Sequence, residues 1–250
     1  MKPKVLFKTL WVDAKHILPA PFHWDGHDWL VFSAGVAATT VFFPYDQEIS
    51  EKARRDTTPL GEVGTQLEGL GDARSIALLF GFYGAGAIIR DQKAKDVCID
   101  GLVASTLAAG IVTPIVSTVV GRERPTQDMG AFAFHPFEGR SFPGGHVTQT
   151  FAVVSVIASS YDQWWVKVAA YGAGLVSVYE RVRRGKHFLS DNVAGAFIGT
   201  AIGTSVVRYN RKLRSGEVTG EVERPRPGPA LTLYPFAVEG GLGLGGTFSF

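Results

Sequence analysis

The sequence is short of cysteine, of charge, and of any imbalance between acidic and basic residues. Its single cysteine, Cys98, excludes an intrachain disulfide framework and a zinc site built from cysteines. Charged residues make up 19% of the chain, below the roughly 25% of ordinary soluble domains. With 25 basic and 23 acidic residues the formal charge is only +2, which argues against a nucleic-acid-binding protein. Neither a secretory signal sequence nor an internal repeat is visible.

The chain is instead rich in apolar residues, at 46% hydrophobic and 12% aromatic, which excludes a disordered protein. Charges are absent from six stretches rich in Gly, Ala, Ser and Thr, a composition that suits close helix contacts in membranes. The longest, residues 101–121, has 21 residues, enough for a membrane-spanning helix. The other five have 12 to 16 residues and also fit buried helices of a soluble bundle: 30–45, 75–89, 147–161, 168–179 and 192–207.

The distribution of basic residues favours the membrane. Six spans would place the amino terminus, residues 90–96, residues 161–167 and the tail after 207 on one side. These segments carry the excess of lysine and arginine expected of cytoplasmic loops. We therefore expect a multi-pass protein of a bacterial-type inner (cell) membrane, with membrane lipids as partners. The sequence leaves the oligomeric state open.

The two ends of the chain predict separate segments around a helical domain. Residues 1–27 are expected to form an amphipathic or interfacial segment, and residues 28–209 the six-helix domain. Residues 210–229 are polar and contain three prolines, typical of an extended linker. Residues 230–250 alternate in character and indicate a β-hairpin. The predicted fold class is thus all-α, a transmembrane six-helix bundle with a short C-terminal β-hairpin tail.

Three short polar clusters stand at the ends of apolar stretches: residues 121–125 (Gly-Arg-Glu-Arg-Pro), 141–146 (Ser-Phe-Pro-Gly-Gly-His) and 181–191. If consecutive helices alternate in direction, all three clusters fall on the same face of the bundle. On the topology above this is the extracytoplasmic (periplasmic) face, where we expect the active site.

The clusters contain groups that bind phosphate. Arg124 and Arg181 offer planar guanidinium groups for phosphate oxygens. The Pro143-Gly144-Gly145 turn precedes a predicted helix, where backbone N–H groups are available to an anion.

The clusters also contain groups that perform acid–base and nucleophilic chemistry. His146 and His187 supply two imidazoles for the roles of acid and nucleophile. Asp191 follows His187 by four residues, so on a helical turn it would lie on the same side and hold the ring. No cluster of Asp, Glu and His matches a two-metal site, so we expect a reaction without a metal and without a cofactor.

In these clusters the chain resembles the type 2 phosphatidic acid phosphatases, or lipid phosphate phosphatases, which share their core with vanadium haloperoxidases. The family pattern is Lys-x6-Arg-Pro, then Pro-Ser-Gly-His, then Ser-Arg-x5-His-x3-Asp. The chain matches it at Arg124-Pro125, at Pro143-x-Gly145-His146 and at Arg181-x5-His187-x3-Asp191.

The resemblance implies a role for each matching residue. His187 would attack phosphorus and form a phosphohistidine, and Asp191 would fix its tautomer. His146 would protonate the leaving oxygen and then activate water. The phosphate oxygens would be held by Arg124, Arg181 and the N–H groups of Gly144 and Gly145.

The first departure from the family pattern is Ser117, which stands where the family has lysine. One cationic phosphate ligand is therefore missing. Arg122, Arg140 and Lys186 are the candidate accessory residues that would replace it.

The other two departures replace serines of the pattern. Gly144 removes a hydroxyl donor and keeps the backbone N–H. Glu180, which precedes Arg181, brings a negative charge that is unfavourable near a phosphate unless it pairs with Arg183 or Arg184.

We therefore predict a metal-independent phosphatase of a lipid phosphate or diphosphate monoester. Candidate substrates are phosphatidic acid, phosphatidylglycerol phosphate, undecaprenyl diphosphate and a lipid A phosphate. The alternatives are a soluble or peripheral acid phosphatase of small phosphomonoesters, a catalytically weakened family member, and a non-catalytic membrane or scaffold protein. A vanadate-dependent haloperoxidase is disfavoured, because those chains are larger and Ser117 removes a vanadate ligand.

Overall fold

The computed structural model describes residues 3–56, 73–218, 230–238 and 241–249. The chain is mostly helical, as the sequence predicts, and each of the six uncharged stretches largely coincides with a long helical segment. The helices are α1 (Pro3–Ile17), α2 (Gly26–Phe42), α3 (Asp46–Arg54), α4 (Ala73–Ile88), α5 (Gln92–Ser105), α6 (Thr113–Val120), α7 (Gly145–Ser160), α8 (Trp164–Arg183) and α9 (Leu189–Ser215). A π-helical segment, Thr106–Val112, joins α5 to α6.

The long helix α9 packs along α7, and α5 lies against both. The core between them and α4 is aliphatic and fully buried, and it includes Leu79, Val97, Val103, Leu107, Val153, Val156 and Val206. Burying one such side chain stabilises the fold by roughly 1.5–3 kcal/mol. The core therefore fixes the helix ends on which the polar clusters stand.

Besides this aliphatic core, some polar side chains lie inside the bundle, and several large apolar side chains lie on its exterior. The Gln149 side-chain amide donates to the hydroxyls of Ser75 and Ser105, both at 3.0 Å, in the buried interior. On the exterior, the exposed fractions reach 67% for Leu30 and 74% for Trp164. Exposed apolar side chains on several helices indicate a surface that contacts a membrane or another protein.

One continuous helical run in the described part of the chain is long and apolar enough to cross a membrane. This run is Gln92–Val120, with 29 residues and a mean hydropathy of 1.9. Helix α4 is apolar but shorter. The expected six-span topology therefore stays a prediction.

The ends of the chain differ in part from the expected boundaries. Helix α1 packs on α9 and α5, and α9 continues to Ser215, beyond the expected domain end at residue 209. The expected linker falls mostly on residues 219–229, outside the described residues. Strands β1 (Ala230–Val238) and β2 (Gly241–Ser249) pair antiparallel, with Ala230 opposite Ser249. The short C-terminal hairpin tail stays a prediction.

Candidate active site

The first cluster is turned into the protein by the end of α6. Gly121 ends this helix in the left-handed conformation, with φ of 61°. A Cβ at this position would lie 2.0 Å from the backbone carbonyl oxygen of His135, so both the conformation and the close approach require glycine. As a result the next side chain, Arg122, points inward and is completely buried.

The guanidinium group of Arg122 makes five hydrogen bonds, one for each of its N–H groups. Nη1 donates to Asp191 Oδ1 and Ser190 Oγ, both at 2.7 Å, and Nη2 donates to Asp46 Oδ2 at 2.8 Å. Nε and Nη2 also donate to the carbonyl of Ala131, at 2.9 and 2.6 Å. Because its donor capacity is used, Arg122 is not a substitute for the family lysine as a phosphate ligand. This corrects the expectation of an accessory role.

Aromatic rings enclose the same guanidinium group. Its central carbon lies 4.3 Å from the ring centre of Phe188, 4.4 Å from that of Phe43 and 5.7 Å from that of Phe134. The rings exclude water and add cation–π attraction, so the ion pairs act in a medium of low dielectric constant.

The imidazole of His187 is buried, and its Nδ1 lies 2.7 Å from the carbonyl oxygen of Ser141. A carbonyl only accepts hydrogen bonds, so this contact places the hydrogen on Nδ1. The lone pair is then on Nε2, the atom available for nucleophilic attack. The second cluster thus orients the imidazole of the third.

Asp191 does not hold the His187 ring directly, which corrects the geometric expectation. Its Oδ2 accepts from Ser141 Oγ at 2.6 Å and from the Phe188 N–H at 2.9 Å, and its Oδ1 pairs with Arg122. The reason is local: α9 begins at Leu189, so His187 precedes the helix and lacks the four-residue relation of helical side chains. Asp191 is therefore connected to His187 through Ser141.

The electrostatic environment keeps His187 neutral. Burial, together with the nearby Arg124, Arg181 and His146, lowers the pKa of His187 to about 3, against the contact with Ser141, which raises it. These three side chains are thus near enough to affect the pKa of His187. A neutral imidazole is the form that attacks an electrophile.

The second cluster differs from the expected anion cradle, whose role in phosphate binding stays a prediction. The N–H of Gly144 donates to the backbone carbonyl of Asp191 at 2.8 Å, so it is not a phosphate donor, contrary to expectation. Gly145 is the first residue of α7, where an amide has no acceptor within its own helix. The dipole of α7 adds to the attraction of an anion at that point.

The replacement of the family serine by Gly144 has a steric reason. A Cβ at Gly144 would lie 2.6 Å from Oδ1 of Asn192, which is itself buried. The nearest backbone atom of α9, the Asp191 carbonyl oxygen, would lie at 3.3 Å, so a side chain at this position requires the Asn192 side chain to shift.

The remaining sequence candidates divide by their surroundings. The buried Glu180 forms ion pairs with Arg183, at 3.1 Å, and with Arg184, so its charge is balanced beside the site. Arg140 and Lys186 are exposed, and Ser117 is buried. The structure gives neither exposed residue a contact that would assign it to the phosphate.

The sequence motifs miss Asp46, Ser141 and Ser190, which connect the clusters by hydrogen bonds. Ser141 begins the second cluster, and Ser190 lies between two motif residues, but no role was assigned to either. Asp46 lies outside every motif and 144 residues before its partner Ser190. A single sequence holds no signal for such a contact, since the tertiary fold alone brings the two together.

One group of three side chains among the described residues is close enough to share a metal ion: Asp25, His27 and Asp28. All three are exposed, and Asp25 and Asp28 cap the start of α2. None of them belongs to the cluster around His187.

The fold and the clusters define the class of protein. Residues 101–215, which contain all three clusters, match the family model of the PAP2 superfamily. The resemblance inferred from the motifs is thereby confirmed, and this segment belongs to that superfamily.

Two solved structures have a similar fold. The first transmembrane PAP2 type phosphatidylglycerolphosphate phosphatase from Bacillus subtilis has a TM-score of 0.57 and 21% identity, over 78% of this chain and 97% of that chain. LpxE from Aquifex aeolicus has a TM-score of 0.52 and 22% identity, over 66% of this chain and 96% of that chain. At these identities the likeness establishes the fold. No curated protein matches the chain.

Proposed function

We propose that this protein is a membrane-embedded, metal-independent phosphatase of a lipid phosphate or diphosphate monoester. The observation that carries the proposal is the buried His187, whose Nδ1 is 2.7 Å from the Ser141 carbonyl and whose pKa is lowered by burial and, to a lesser degree, by Arg124 and Arg181. A neutral, oriented imidazole beside two cations and a helix N-terminus suits attack on a phosphoryl group.

The proposed reaction has two displacement steps at phosphorus. In the first, Nε2 of His187 forms a bond to phosphorus while the bond to the lipid oxygen breaks, and His146 gives that oxygen a proton. In the second, His146 takes a proton from water, whose oxygen bonds to phosphorus as the phosphorus–nitrogen bond breaks. Arg124, Arg181 and the N–H of Gly145 hold the oxygens in both transition states, where electrostatic stabilisation dominates.

The exposed apolar surface supports the membrane part of the proposal. Large apolar side chains face outward on α2, α4, α6 and α8, where a lipid environment would solvate them. The B. subtilis protein of similar fold is a transmembrane PAP2 type phosphatase. With the charge pattern of the loops, this favours an active site on the extracytoplasmic face.

An apolar cavity supports a lipid substrate. It has a volume of about 560 Å³ between α3 and α8, and its lining combines the apolar Ile49, Ala53, Leu175, Val178, Val182 and Leu189 with Lys52, Asp56 and Tyr179. Val182 is next to Arg181, and Leu189 lies two residues after His187. A hydrocarbon chain beside the head group would find apolar contacts there, whereas a small phosphomonoester would not use them.

A second candidate function is a peripheral or soluble acid phosphatase of small phosphomonoesters. The observation that favours it is that one helical run among the described residues, Gln92–Val120, is long and apolar enough to span a membrane. Membrane extraction distinguishes the two candidates. The lipid phosphatase should stay in the membrane after carbonate extraction and need detergent for solubilisation, whereas the alternative should do neither.

The test of the proposed function is phosphate release from a panel of lipid phosphates and one soluble phosphomonoester. We expect the purified protein to hydrolyse at least one lipid phosphate, with unchanged rates in EDTA. His187→Ala should lower the rate by about a thousandfold or more, whereas His135→Ala, at an exposed histidine, should not. Undiminished activity of His187→Ala would exclude the mechanism, and loss of activity in EDTA would exclude the metal-free reaction.

A further inference from the structure

Asp46 is a buried carboxylate that lies outside the residues matched by the superfamily. It is the first residue of α3, after the Phe43–Tyr45 turn, and it is completely buried. The family match begins at residue 101. No motif in the sequence predicts a role for it.

Asp46 caps helix α9, which contains Asp191 in its first turn and begins two residues after His187. Its Oδ1 accepts from the backbone N–H of Ser190 at 3.0 Å, and its Oδ2 accepts from Ser190 Oγ at 2.5 Å. Ser190 is the second residue of α9, so a carboxylate from a distant helix satisfies an amide that an N-cap residue would otherwise satisfy. The negative charge also lies at the positive end of the α9 dipole.

Through Arg122, Asp46 is connected to His187. Arg122 bridges the two carboxylates of Asp46 and Asp191, at 2.8 and 2.7 Å. Asp191 accepts from the hydroxyl of Ser141, whose carbonyl lies at 2.7 Å from Nδ1 of His187. Every side chain between Asp46 and the imidazole is therefore held by a hydrogen bond to the next.

The network is suited to fix a geometry because none of its charged groups is open to water. The side chains of Asp46, Arg122 and Asp191 are all completely buried. Removing one partner from such a set leaves the others with uncompensated charge or unpaired donors. The groups then move to find partners, and the position of Ser141 moves with them.

We propose that Asp46 is a positioning residue that, through Arg122 and Asp191, holds Ser141 and the imidazole of His187 in the orientation needed for attack. This inference rests on the proposed function for its kinetic consequence. Its structural consequence, a single orientation and tautomer of His187, is independent of turnover.

The test variant is Asp46→Asn, which keeps the size of the side chain. Its amide oxygen still accepts from the Ser190 N–H, but its NH2 group then faces the donors of Arg122 and Ser190. The matched control is Glu51→Gln, the same chemical change in α3 at an exposed residue whose one side-chain hydrogen bond among the described residues is with Gln47. Ser190→Ala is the milder second variant, since it removes a hydroxyl contact and keeps the charge pairs.

Two measurements are made on each full-length variant in detergent. The first is kcat and KM for the lipid phosphate that the wild type hydrolyses fastest. The second is the 15N NMR spectrum of histidine-labelled protein, in which the His187 signals are assigned by their loss in His187→Gln and report which ring nitrogen carries the hydrogen.

We expect Asp46→Asn to lower kcat by about 10–100-fold with KM changed less than about threefold, as for other residues that orient a catalytic group. We expect its His187 nitrogens to shift from the single Nδ1–H tautomer towards averaged values, and Ser190→Ala to show the same changes to a smaller degree. Glu51→Gln should match the wild type in both measurements.

Unchanged His187 nitrogen signals in Asp46→Asn would overturn the proposal, whatever the rate. If this variant does not fold, unchanged signals in Ser190→Ala overturn it in the same way. A wild type that hydrolyses no lipid phosphate contradicts the proposed function instead, and the NMR comparison then decides the positioning role alone.

Discussion

The two ends of α9 each carry a buried polar network, and the two networks differ in how completely they are satisfied. At the amino end, Arg122 is buried between Asp46 and Asp191 and uses all its donors. At the carboxyl end, Asn210 donates to Asp13 at 2.9 Å and to Asp100 at 3.0 Å. Both networks connect helices that are distant in sequence.

The network at the carboxyl end of α9 is partly exposed to water, whereas the charged side chains at the amino end are completely buried. Arg214, which pairs with Asp100, keeps 38% of its side chain exposed. Oδ1 of Asp13 is buried without a hydrogen-bond partner, and burial raises the pKa of Asp13 to about 7. The difference teaches that complete pairing holds a buried arginine in place at the amino end, whereas at the carboxyl end an incompletely paired carboxyl group takes up a proton near neutral pH.

The largest expected difference is between the two arginines. Arg122→Met should destabilise the protein by about 3–5 kcal/mol, because two buried carboxylates lose their shared partner. Arg214→Met should cost only about 1 kcal/mol, since water reaches that pair. Chemical unfolding in detergent measures both. Equal losses at the two ends would contradict the comparison.

The next difference is in the pH dependence of stability at the amino end. The pKa of His187 is lowered to about 3 in the folded protein from 6.5, so the unfolded chain binds more protons between these values. Stability from this group is therefore present above about pH 6.5 and falls as the pH is lowered towards 3, by at most about 1.4 kcal/mol per unit. His187→Gln should remove this slope, as measured by unfolding at a series of pH values. A slope identical to that of the wild type would show that His187 is not buried in its neutral form.

The slope at the carboxyl end should have the opposite sign. The pKa of Asp13 is raised to about 7 from 3.8, so here the folded protein holds the proton that the unfolded chain loses. The contribution of Asp13 to stability is therefore full below about pH 3.8 and is lost as the pH rises to about 7. Asp13→Asn should remove this loss in the same unfolding series, and parallel curves for variant and wild type would refute it.

The smallest expected effect comes from restoring the family serine at the amino end. Gly144→Ser should destabilise the protein by about 1–2 kcal/mol, because the new Cβ approaches Asn192 closely. The double variant Gly144→Ser with Asn192→Ala should recover part of that loss, as thermal unfolding would show. A single variant as stable as the wild type would mean that α9 can move away from the turn.

The positions of the helices could be predicted from the sequence more fully than the contacts within the site. Uncharged stretches of helical length located the helices, because the apolar content of a segment determines whether it is buried or lipid-facing wherever it packs. Arg124, Arg181, His146 and His187 could be named as candidates because their chemistry and spacing match a phosphate site, and their roles stay predictions. The predicted contact between Asp191 and His187 was wrong, because it assumed that His187 lies within a helix. Helix α9 begins only two residues after His187, at Leu189.

The sequence by itself determined which residue types are available to the reaction and that they stand at the ends of helical stretches. Only the tertiary structure decided which of them contact each other. Arg122 looked like a phosphate ligand and is a buried partner of two carboxylates, one of which, Asp46, belongs to no motif. The physical reason is that a buried charge must be satisfied within a few ångströms in space, and the chain reaches such a partner by folding from 76 residues away.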